Sequence, residues 1–149
     1  MISLSMALWA LAVGAASPDE RVAPPQAMKQ GVAGNGLYCL LAILEVVDEV
    51  GRRCSKEGDP EFVADVRSGI SRLEAYARAN GAATDSDLQR FRYDQAFGSA
   101  PDEAVCRNAD AVALHDSFQA SHQSRPQSLT NAIDQMTAAP GKPTWGTCL

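Results

Sequence analysis

Most of the motifs that announce chemistry are missing from this chain. It contains no Gly-x-Ser-x-Gly, no His-Glu-x-x-His and no EF-hand loop, and it carries only two histidines, His115 and His122. A nucleophile elbow, a zincin helix and a calcium loop are thereby excluded. Its four cysteines, Cys39, Cys54, Cys106 and Cys148, include no C-x-x-C pair, which removes support for thioredoxin-type redox chemistry, zinc ribbons and c-type haem. Basic charge is in deficit as well. Thirteen Lys and Arg stand against 18 Asp and Glu for a net charge of -5, a balance that argues against nucleic acid or an anionic membrane as the main partner. The segment Gly31-Val-Ala-Gly-Asn-Gly36 is not a phosphate loop, because no strand precedes it and no Gly-Lys-Ser/Thr follows. No repeat of fixed period is present.

Long apolar runs are absent too. The longest, residues 4–13, has about ten residues, whereas roughly 20 are needed to span a bilayer. It has the length of a signal-peptide core, and the small residues Gly14, Ala15 and Ala16 follow it, as a signal peptidase site requires. No Lys or Arg precedes the run, so the terminal amine is its only positive charge. Residues 1–16 are therefore expected to be a signal peptide cleaved near Ala16, residues 17–36 a flexible lead-in rich in Pro and Gly, and residues 37–149 a single helical domain. The expected address is periplasmic or secreted, without stable membrane insertion after cleavage.

Export changes how the cysteines read, since oxidising compartments favour disulfides. If Cys39 and Cys54 lie at opposite ends of one helix, they stand roughly 22 Å apart, while a disulfide needs alpha carbons within about 7 Å. That pairing is disfavoured. In an up-down arrangement the end of the first helix meets the start of the fourth, which favours Cys54 with Cys106 and leaves Cys39 for Cys148.

The remaining sequence predicts an all-α fold, a small up-down bundle of about five helices stapled by two disulfides. The first helix, residues 37–53, is apolar on every side in its front half and should be central. The second has Asp59 as N-cap, Pro60 at its first position and Asn80-Gly81 at its end; Gly69 lies within its apolar face, where a neighbouring helix should approach closely. Thr84 with Asp87 opens a third helix by a capping box, ending near Phe97-Gly98, with core contacts from Leu88, Phe91 and Phe97. A fourth is predicted as one continuous helix from Pro101 to about His122, and a fifth from Pro126 to Pro140. Trp145 and Cys148 should pin the tail to the body.

Candidate chemistry is sparse. Glu45, Asp48, Glu49 and Arg52 read as a solvated polar stripe, and Arg90-Phe-Arg-Tyr93 as an ordinary helix surface rather than a nucleic-acid platform. His115 and His122, seven residues apart on one helix, stand about 10 Å apart along its axis, too far for one metal, and read as surface residues. Asp116 should project away from His115. No cofactor, metal or catalytic residue is expected. The favoured function is a non-enzymatic protein-interaction module of inhibitor, immunity or assembly type, binding another protein through an apolar stripe of Ala111, Leu114 and Phe118. A small-ligand or metal-binding protein is the alternative, and an enzyme is least favoured. The plan of a leader and a four-cysteine helical domain resembles that of small bacterial envelope proteins in type, which implies the same address and supplies no active residues.

Overall fold

Six helices are present in the computed structural model, which describes residues 36–54, 56 and 58–146. The predicted signal peptide, nearly all of the lead-in and Cys148 lie outside the described residues. Several helix starts follow a local cause. In α2 (Pro60–Ala79) the Asp59 carboxylate accepts from the Glu61 backbone N–H at 2.9 Å, and Pro60 loses nothing at a position whose N–H has no helical partner. In α3 (Asp85–Gln95) the Thr84 hydroxyl accepts from the Asp87 N–H while the Asp87 carboxylate accepts from the Thr84 N–H, so the capping box is complete despite its Asp. α3 ends before Phe97 and Gly98, both with positive φ, and the Gly98 N–H closes the end on the Tyr93 carbonyl at 2.8 Å.

α1 (Leu37–Arg53) is the hub, touching α2, α3, α4 (Asp102–Cys106) and α5 (Ala109–Ser124). Its Leu37, Leu40, Leu41, Leu44 and Val47 pack with Phe62, Val66, Ile70, Leu73 and Ala77 of α2 into the main core. Burying each such side chain contributes roughly 1.5–3 kcal/mol, so this one interface supplies most of the apolar stabilisation. A beta carbon on Gly69 would fall 3.1 Å from Leu44 Cδ1 and 2.9 Å from Ile133 Cδ1, so the expected close approach is made by side chains of two helices rather than by a helix backbone.

The predicted fourth helix is in fact two. α4 (Asp102–Cys106) stops at Arg107, and α5 (Ala109–Ser124) begins anew because the Asn108 side chain accepts from the Ala111 N–H at 3.1 Å. An Asn that caps a new helix competes with continuation of the old one, which is why a single helical projection across this region fails. Val105 and Ala111, on the two pieces, close over Val50 in a second small core. Beside it Cys54 and Cys106 are bonded, with alpha carbons 5.5 Å apart, which also removes the Cys39–Cys54 alternative. One disulfide, not two, thus joins described residues; the expected pairing of Cys39 with Cys148 falls on a residue outside them. Arg53 reinforces the same junction by donating to Asp102 at 2.6 Å and to the Ala100 carbonyl.

α6 (Ser128–Thr137) packs chiefly on α2. It starts two residues after Pro126, and Leu129 lies near Gly69, Asp134 pairs with Arg72 and the Ala139 carbonyl accepts from Tyr76, so α6 runs beside α2 in the same direction. The tail then crosses α1: the Tyr38 N–H donates to the Thr144 carbonyl, and Trp145 packs on Tyr38 and Phe91 with centroids 6.0 and 5.7 Å away. Among the described residues no helix is long and apolar enough to cross a membrane.

Candidate functional site

Because α6 follows α2 instead of returning along α5, the two C-terminal helices diverge and leave a cleft of about 320 Å³. Its walls are largely apolar: Leu40 from α1, Phe62 from α2, Phe118 from α5 and Leu129 from α6. Ser117, Ser121 and Ser128 edge it, and among the described residues His122 and Arg125 bring the ionisable groups to its lining. Arg125 sits exposed in the turn between the helices and makes no side-chain hydrogen bond or ion pair among the described residues. Most other arginines of the molecule are neutralised by a carboxylate, so this guanidinium is an uncommitted donor at the mouth of an apolar space.

The histidines are not surface residues. His115 is 1 % exposed and His122 6 %, and each ring packs against Phe62, with centroids 5.7 and 5.5 Å away. The sequence predicts surface residues beside the stripe of Ala111, Leu114 and Phe118; packing of that side of α5 on Phe62 of α2 buries them instead. His122 Nε2 lies 3.0 Å from Asp65 Oδ2, and His115 Nδ1 lies 3.1 Å from Asp116 Oδ1. The second contact corrects the expectation that Asp116 points away. Nδ1 is the ring nitrogen nearest the backbone, so the next residue's carboxylate can reach it although the two alpha carbons diverge. Hydrogen bonds from His115 and Lys56 hold the Asp116 carboxyl below its usual range. An ionised carboxylate only accepts, so the proton in that contact belongs to the imidazole. His115 Nε2 and His122 Nδ1 are left buried without a partner. Gly51 makes room for His115, since a beta carbon there would stand 3.3 Å from Nε2.

A carboxylate on a histidine, as in the Asp65–His122 contact, is also the pattern that orients a general base in nucleophilic relays. The rest of such a relay is not assembled: among the described residues no serine hydroxyl bonds to His122, though three serines edge the same cleft. Nor do three His, Cys, Asp or Glu side chains converge as metal ligands among the described residues.

The expected solvated stripe on α1 is partly buried. α3 lies across it, leaving Glu45 5 % exposed, and Glu74 of α2 is buried beside it. Arg92 of α3 bridges the two carboxylates, 3.3 Å from Glu45 and 2.5 Å from Glu74, and Arg78 adds a contact to Glu74 at 3.2 Å. Burial pushes the Glu45 carboxyl up to about 7, with Arg92 pulling the other way. Asp48 and Glu49 pair with Arg67 and Arg52 at 2.8 and 2.7 Å, so the stripe is a row of ion pairs.

Of the predicted interaction surface, Ala111 is buried against Val50 and Val105, while Leu114 and Phe118 are half-buried against the main core. The three therefore do not share one open patch, and of them Phe118 alone lines the cleft. Asp65 and Arg125 carry no signal in the sequence, where each is one more charge on a helix or turn, and Arg92 stands out there only within the run Arg90-Phe-Arg-Tyr93. In comparisons with known proteins, the chain matches no protein-family model, no curated protein and no solved structure.

Proposed function

We propose that the chain is an exported, non-enzymatic binding protein whose site is the cleft between α5 and α6, and whose ligand is a small amphipathic anion. The observation that carries this reading is an apolar cleft with one unpaired guanidinium at its edge. A volume of 320 Å³ is at the small end of the roughly 300–1,000 Å³ typical of ligand pockets, which suits a short alkyl or aryl carboxylate. The apolar walls take the body, and Arg125 with the serines takes the charged head. Export is supported by the Cys54–Cys106 disulfide, which belongs in an oxidising compartment, and by the apolar run near the N-terminus.

Calorimetric titration with octanoate and with 1-octanol tests the reading. Octanoate should saturate one site, and Arg125→Gln should weaken it about tenfold while leaving 1-octanol unchanged. No heat with octanoate, or an equal loss for acid and alcohol, would refute it. The protein-interaction reading stands second, supported by Leu114 and Phe118, which keep part of their apolar surface open on α5. It requires that Leu114→Ser with Phe118→Ser abolish partner capture at unchanged helical circular dichroism.

A further inference from the structure

A second hollow, unrelated to the cleft, lies where the tail crosses α1 and α3. It measures about 180 Å³ and is walled by Tyr38, Phe91 and Trp145, with Leu88 at its base and Asp87 beside it. We infer that this corner binds the quaternary ammonium group of a small free solute, the three rings supplying their faces and the Asp87 carboxylate the countercharge.

The three rings form one tilted aromatic cluster, with centroids 5.7 to 6.0 Å from one another and planes inclined by 41 to 45°. That spacing is ordinary aromatic packing, and the cluster edges the hollow with ring surface. Ring faces carry the negative part of the aromatic quadrupole, so a hollow lined by them beside a carboxylate attracts positive charge. The corner is also held in advance: the Tyr38 hydroxyl donates to the Ala82 carbonyl at 3.3 Å, and the Tyr38 N–H fixes the tail through Thr144.

The sign of the charge is set by Asp87. Its Oδ2 accepts from the Thr84 hydroxyl at 2.6 Å and the Thr84 N–H at 2.9 Å, while Oδ1 has no hydrogen-bond partner among the described residues. Those bonds hold the carboxyl below its usual range, keeping it ionised. Among the described residues no basic side chain lines the hollow, and Arg90, which acts on the Asp87 carboxylate through space, forms no ion pair with it. Methylation selects the ligand further. A primary ammonium brings three N–H donors, of which Asp87 Oδ1 can satisfy one, whereas a quaternary group has none to satisfy and presents methyls that suit Leu88 and Ala83.

The test is calorimetric titration of the full chain with choline and with its neutral isostere 3,3-dimethylbutan-1-ol. Choline should saturate one site, with the isostere at least about tenfold weaker, the fold-change expected of a partly desolvated cation over aromatic faces. Trp145→Leu and Asp87→Asn should each weaken choline severalfold at unchanged helical circular dichroism. Equal binding of choline and the isostere, or no heat with choline, would overturn the inference without requiring any variant to fold. Sedimentation with phosphatidylcholine vesicles that free choline does not inhibit would overturn the assignment to a free solute.

Discussion

Replacing Glu45 with Gln should remove a pH dependence of stability that runs opposite to that of a surface carboxylate. Burial beneath α3 raises the Glu45 carboxyl from its ordinary 4.5 to about 7. The folded state therefore binds more proton than the unfolded state between those values, and stability falls as pH rises through them. At about 1.4 kcal/mol for each pH unit the gap corresponds to about 3 kcal/mol, which the half-exposed Arg92 and its solvent screen to about 1–2 kcal/mol. Glutamine keeps the shape and a hydrogen-bond acceptor for Arg92 but cannot ionise. Urea unfolding of both proteins, without reductant, at about pH 5 and pH 8 isolates the effect, because other titrating groups cancel in the difference. Wild type should lose about 1–2 kcal/mol relative to Glu45→Gln between the two conditions. A difference that stays constant, or that moves in favour of wild type at high pH, would refute the burial argument.

Two further outcomes follow from the packing. Cys54→Ser with Cys106→Ser opens a loop of sequence separation 52, for which chain entropy gives about 4 kcal/mol; urea unfolding should show a loss of about 2–4 kcal/mol, and a loss below about 1 kcal/mol would contradict it. Gly69→Ala gains about 1 kcal/mol of helix propensity but drives a methyl onto Ile133 and Leu44, so a net loss of about 1 kcal/mol is expected. Adding Ile133→Val removes the nearest atom and should restore most of that loss; a stabilised Gly69→Ala would refute the close approach.

The helix ends were legible because their causes are local. Asp59 and Pro60, Thr84 and Asp87, and Phe97-Gly98 satisfy or terminate backbone bonds within a few residues of themselves, and such signals survive without any neighbour. The Cys54–Cys106 pairing was legible in two steps: fixed helix length removed Cys39 with Cys54, and an up-down arrangement then favoured Cys54 with Cys106 over Cys54 with Cys148. Asn108 shows the limit. Its capping role was equally local, but Val105 through Phe118 are apolar often enough to sustain a helical pattern across it, and the pattern hid the break.

Burial of charge was another matter. Nothing in the spacing of Glu45 distinguishes it from Asp48 or Glu49; it is buried because α3 crosses there and brings Arg92 to meet it. His115 and His122 are buried because α5 packs their side of the helix onto Phe62 of α2, and Asp65 reaches His122 from 57 residues away in sequence. The cleft itself exists because α6 runs along α2 rather than back along α5, a choice made by Leu129 and Ile133 packing at Gly69. Residue order thus set the helices, their caps and the cysteine pairing, since these depend on short-range bonds and fixed rise. Which charges lost water and where a cavity remained depended on how the helices met, because desolvation is a property of neighbours that sequence proximity does not supply.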